Sequence, residues 1–122
     1  MHLDSTISLH GHLWKKTDIQ DQVQWALTRD WTFKKWFPQP ALIHKSGGTI
    51  SRYTGQKFDP AKIDLIQEGW SHDHCEICFW TLHLTDDSES GSGYFDGYTG
   101  WLCSECFSKF IQKAEQDAAA NP

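Results

Sequence analysis

Two Cys-x-x-Cys pairs, Cys75–Cys78 and Cys103–Cys106, constrain this chain more than any other feature of its sequence. Two thiolates three positions apart on a tight turn can face one ion. Two such pairs can close a tetrahedral shell with metal–sulfur bonds near ~2.3 Å for zinc. The 24 residues between the pairs exceed the ~15–20 usual for this pattern, and the polar stretch Thr85–Gly93, read as a solvated loop, accounts for the excess. Four unrelated thiols, or two redox-active pairs, are the competing readings. The spacing favours a single structural ion per chain held by Cys75, Cys78, Cys103 and Cys106.

A chain of 122 residues is long enough for a single domain. Leu, Ile, Val and Phe make up only about a fifth of it, which is close to the range of disordered chains. Seven Trp and three Tyr compensate, so a core propped by aromatic rings and a metal is expected. Thr17-x-x-Gln20 has capping-box spacing, and Ile19, Val23, Ala26 and Leu27 share one helical face, predicting a helix over about 18–29. Pro38-Gln39-Pro40 should stop regular structure. Ala41–Lys45 and Thr49–Thr54 flank Gly47-Gly48 and read as a hairpin. Asp59-Pro60 is a helix-start signal. After the second Cys pair, Phe107, Phe110, Ile111 and Ala114 recur as the apolar face of a last helix, and residues 117–122 should fray. The fold expected is α+β: an N-terminal helix plus a small antiparallel sheet over residues 1–69, then a zinc module over 70–116.

Within that module a knuckle at Cys75–Cys78 precedes a β-rich hairpin, Phe79–Leu84 and Tyr94–Leu102, and the second pair opens the last helix. This order resembles a treble-clef zinc finger, a scaffold that implies structural zinc and does not fix an activity. Iron–sulfur knuckles of the rubredoxin kind favour glycine after the second Cys; Phe79 and Phe107 stand there, which favours zinc. The longer string from Gly69 to Cys78, closed by Trp101-Leu102-Cys103, is also similar to small bacterial proteins of unassigned function. Some of these belong with toxin systems, which implies an immunity-type role.

Charge divides the chain: residues 1–62 carry +4 and residues 63–122 carry −9. Asp86, Asp87 and Glu89, with Trp70, Tyr94, Tyr98 and Trp101 among the acids, suit a basic protein partner, since rings supply burial and acids steer encounter. A non-enzymatic protein-binding module, an inhibitor or immunity protein, is therefore expected. The basic aromatic N-terminal half (Lys34, Lys35 and Arg52 among Trp31, Phe33 and Trp36) keeps nucleic-acid binding as one alternative. His72-Asp73-His74 keeps a metal-dependent nuclease or hydrolase as another. The blander expectation for His72 and His74 is hydrogen bonding to the cysteine sulfurs from outside the ligand set. No apolar run is long enough for a membrane helix. Met1-His2-Leu3-Asp4 lacks the basic and apolar regions of a secretory signal, so a cytoplasmic protein with reduced thiols is expected.

Overall fold

The computed structural model describes residues 5–120; Met1–Asp4, on which the reading of an absent export signal rests, lie outside them. Strand residues outnumber helical ones, and the strands form four small, separate sheets. The expected layout of one N-terminal helix beside one small sheet is thus not the one formed.

The chain opens with a hairpin of β1 (Thr6–Leu9) and β2 (His12–Lys15), joined by the two-residue turn His10-Gly11. Both turn residues have positive φ, 52° and 79°, the requirement of the turn type that matches strand twist. Helix α1 (Lys16–Ala26) follows directly from β2. Because it starts at Lys16, Thr17 lies inside the first turn; the N-cap is Lys15, without a side-chain cap bond. The proposed capping box therefore does not form. Its C-terminal carbonyls are closed by the Thr28 hydroxyl, donating to Trp25 O, and the Trp31 indole, donating to Ala26 O.

Strand β3 (Thr32–Lys35) links the two sub-regions of the chain directly. It pairs antiparallel with β9 (Ser92–Phe95), which also pairs with β10 (Trp101–Leu102). One sheet is thus shared between the basic and acidic halves. The second three-stranded sheet has β4 (Gln39–His44) at its centre, between β5 (Ile50–Arg52) and β6 (Ile63–Trp70). Gly47 and Gly48 supply positive φ in the β4–β5 connection, as the sequence predicts. Pro40 does not stop the strand but sits where the β4–β6 register shifts, a place that tolerates a missing N–H. Asp59 accepts from Ala61 N and makes a turn into β6, not a helix start.

The last sheet pairs β7 (His72–His74) with β8 (Thr81–His83), and the first Cys pair lies in the turn between them. The Thr85–Gly93 stretch is more ordered than a solvated loop. It contains α2 (Ser88–Gly91), whose N-cap Asp87 accepts from Glu89 N at 2.8 Å, and it enters β9 at Ser92. A Cβ on Gly91 would lie 2.3 Å from Thr85 O, so only glycine fits that close approach. The C-terminal helix starts as α3 (Ser104–Cys106), widens into a π-helical segment (Phe107–Gln112) and continues as α4 (Lys113–Ala120). The wider turn changes the buried face: Ile111 is buried, whereas Phe107 and Phe110 are half-buried. Residues 118–120, expected to fray, continue α4, and residues 121–122 lie outside the described range. Among the described residues no helix is long and apolar enough to cross a membrane.

Two clusters form the interior. The larger joins Leu9, Ile19, Ala26, Ile77, Leu102 and Ile111 to all four cysteines; the smaller is Trp36, Leu82 and Trp101. The cysteines therefore sit within the main core and not on an appended finger.

Phe79 is a local exception to good design. Its φ is 67° and its ring is 71% exposed, stacked only on His74. A side chain in the left-handed region costs about 1–2 kcal/mol, and this one returns little burial. Phe79→Gly should leave denaturant stability unchanged or raise it by up to about 1 kcal/mol; a clear loss would show that the ring contributes more than its stacking.

Candidate metal centre

Both Cys pairs are presented by the same device, a strand end followed by a turn. In the first, Cys75 N donates to Trp80 O at 2.8 Å and Phe79 N donates to Cys75 O at 2.9 Å, closing the knuckle. Ile77 N donates to Cys75 Sγ at 3.4 Å. In the second, Cys103 is the N-cap of α3, and its Sγ accepts from Cys106 N at 3.4 Å. Glu76 N donates to Trp101 O at 2.9 Å, and Cys75 bridges to Trp101, so the two turns are bonded to each other before any ion is considered.

This arrangement brings the four sulfurs within 4.8 Å of one another, all on buried, unbridged cysteines. Cys78 Sγ and Cys103 Sγ are 3.6 Å apart. A regular tetrahedron of sulfurs around zinc has edges of about 3.8 Å, so the sulfurs are arranged to hold a metal ion. Their electrostatics point the same way. Burial acts to raise the Cys75 thiol, but hydrogen bonds from Cys103, Cys106 and Cys78 outweigh it and hold Cys75 well below the ordinary thiol range. Hydrogen bonds to Cys103, Cys75 and Cys78, then burial, push Cys106 up. At Cys103 the Cys106 hydrogen bond favours the thiolate, but bonds to Cys75 and Cys78, burial and the Cys75 charge together raise it. Cys75 is thus the thiol most ready to ionise, while Cys103 and Cys106 resist it. A divalent cation supplies what the cluster lacks, since metal binding requires the ligands deprotonated.

The left-handed Phe79 bears on metal identity. The first knuckle takes up the conformation that glycine would favour although the residue is Phe79, so that side chain does not separate zinc from iron; Phe107, after the second pair, is helical with φ −58°. Tetrahedral four-sulfur sites suit either.

The histidines are arranged differently from the expectation. His72 pairs through Nδ1 with Ser71 Oγ at 3.1 Å, and His74 donates from Nδ1 to Phe79 O at 3.3 Å. Both line a surface cleft of about 670 Å³ with Trp70, Glu76 and Phe79. Their bonds are to neighbours other than the sulfurs. The side chain that does meet a sulfur is His10, whose Nε2 lies 3.2 Å from Cys103 Sγ and whose ring stacks on Trp80 at 3.7 Å. The sequence reading overlooked it; the available signal was the His10-Gly11 dipeptide between Leu9 and Leu13, a two-residue hairpin turn.

Asp73 also has another role than metal chemistry. Its carboxylate, 9% exposed, accepts from Trp36 Nε1 at 2.9 Å, Trp70 Nε1 at 3.0 Å and Arg52 Nη2 at 2.5 Å. It is a buried anion joining three elements. Glu76, on the knuckle, is raised by burial first and then by the negative charges of Cys75, Asp96 and Asp73.

The residues singled out for a partner are dispersed. Asp86, Asp87 and Glu89 are exposed, as is Tyr98 at 71%. Trp70 is half-buried over the Arg52 guanidinium, and Tyr94 is half-buried against Phe107 at 3.6 Å. Trp101 is buried in the smaller cluster, which removes it from any contact surface. In comparison with known proteins, no family model matches the chain, and neither a curated protein nor a solved structure gives a significant match.

Proposed function

We propose that this chain is a zinc-stabilised, non-enzymatic protein-binding module that neutralises a basic partner, in the manner of an inhibitor or immunity protein. The observation that carries this reading is the closed four-sulfur cluster. Four protein thiols fill a tetrahedral shell and leave no position for water or substrate, the hallmark of structural as opposed to catalytic zinc. The expected hairpin of Phe79–Leu84 with Tyr94–Leu102 does not form, since β8 pairs with β7; the order of knuckle on β7–β8, hairpin β9–β10 and helix from Cys103 is what supports a treble-clef description of residues 70–116. Exposed Asp86, Asp87 and Glu89, and separately exposed Tyr98, in a half of the chain carrying −9, support a basic partner, and four unbridged cysteines fit a reducing, cytoplasmic setting.

The test has two arms. Elemental analysis of protein purified without added metal should give one zinc per chain; iron, or no metal, would overturn the cofactor assignment. A basic protein captured from the native host should then bind with salt-dependent association. Asp86→Lys with Glu89→Lys should slow that association roughly tenfold or more. Asp87 is changed only to Asn in the same variant, because its side chain caps α2. Recovery of nucleic acid alone, or a partner indifferent to both salt and these acids, would refute the partner assignment.

A further inference from the structure

The β1–β2 hairpin reaches the metal centre from the opposite end of the chain. Ser8 O accepts from Lys109 Nζ at 2.5 Å, and Lys109 also pairs with Glu105 at 3.3 Å. His10 N donates to Glu105 Oε2 at 2.6 Å. Leu9 anchors the hairpin in the cysteine-containing core at 1% exposure. These contacts fix the turn backbone, and the Trp80 stack fixes the imidazole plane, so that Nε2 is aimed at Cys103 Sγ. The aim requires a left-handed φ at His10, a conformation that a non-glycine residue adopts at a cost.

A divalent ion with four thiolates carries two net negative charges, and in a buried site each must be met by hydrogen-bond donors. Among the described residues the sulfurs receive backbone N–H bonds from Ile77, to Cys75, and from Cys106, to Cys103. His10 is the side-chain donor added to these. We infer that His10 is a positioning residue of the metal centre, donating Nε2–H to the Cys103 thiolate so that the N-terminal hairpin governs how tightly the metal is retained. The donor lowers the charge density on that sulfur and resists its protonation and departure from the metal. This rests on the metal-binding reading alone and is independent of the partner assignment.

The experiment compares full-length wild type, His10→Asn and His10→Gln, each loaded with zinc and, separately, with cobalt(II). Asn tolerates the left-handed turn but is too short to reach the sulfur, whereas the Gln amide places a donor near the imidazole Nε2 position. His10→Asn should transfer zinc to a competing chelator roughly 10–100-fold faster and move the sulfur-to-cobalt charge-transfer bands to lower energy. His10→Gln should stay close to wild type in both. A second measurement needs no variant: in wild type loaded with an NMR-active cadmium isotope, the His10 ring proton should show scalar coupling to the metal through the sulfur. Coincident cobalt spectra for all three proteins, or absence of that coupling, would overturn the inference while leaving the metal reading intact. Wild type that takes up neither zinc nor cobalt would overturn both.

Discussion

Strong chelation, or Cys103→Ser, should abolish the native fold and not merely loosen one turn. Structural zinc in small modules contributes ~10–16 kcal/mol of apparent binding free energy, comparable to the ~5–15 kcal/mol that separates folded from unfolded domains. In this protein the ligands are also core residues: all four cysteines pack with Leu9, Ile19, Leu102 and Ile111. Without a cation, neighbouring sulfurs and burial push the Cys103 and Cys106 thiols up, so these two ligands resist ionisation. Far-UV circular dichroism and amide NMR dispersion should collapse on addition of chelator and return with zinc. Native spectra that survive both chelation and Cys103→Ser would contradict the assignment of this centre as the keystone of the core.

The second large effect belongs to the buried anion. Arg52 and Asp73 are paired with side chains only 14% and 11% exposed, and Arg52 Nη1 also donates to Thr99 O at 3.1 Å. Arg52→Met preserves much of the volume but leaves the carboxylate facing only two indole N–H groups. Losing one partner of a buried pair costs about 3–5 kcal/mol. Removing both charges, in Arg52→Met with Asp73→Asn, should recover a large part of that loss, because an uncompensated buried charge and not the missing attraction dominates the cost. Urea denaturation of the two single variants and the double variant measures the coupling directly. Strict additivity, or a loss below about 1 kcal/mol for Arg52→Met, would show that water reaches Asp73.

What was legible in the sequence was local. The Cys-x-x-Cys spacing is a property of one turn, and Gly47-Gly48 announces its own backbone conformation, so the sulfur cluster and the β4–β5 hairpin follow from short stretches of chain. The mixed character of the fold was misjudged because the decisive pairing, β3 with β9, joins residues about sixty positions apart and has no local signature. Polar residues were misassigned for the same reason. Asp73 sits beside two histidines in sequence, which suggests a metal site, but its partners Trp36, just past β3, and Arg52, on β5, arrive from distant parts of the chain. His10 was invisible as a neighbour of sulfur because it lies 93 positions from Cys103. Trp101 reads as an interface anchor by type alone; its burial depends on Trp36 and Leu82 packing beside it.

The tie between His10 and Cys103 also governs how such a chain can be made. During synthesis the N-terminal hairpin leaves the ribosome while both cysteines of the second pair are still untranslated. Leu9, His10 and β3 must wait for partners encoded near the far end, and contacts of such long sequence separation are the slow ones to close. Neither core can be completed on a partial chain. The larger core is therefore closed only once residues 101–111 have been made, and from that moment the availability of metal in the surroundings decides whether it becomes native.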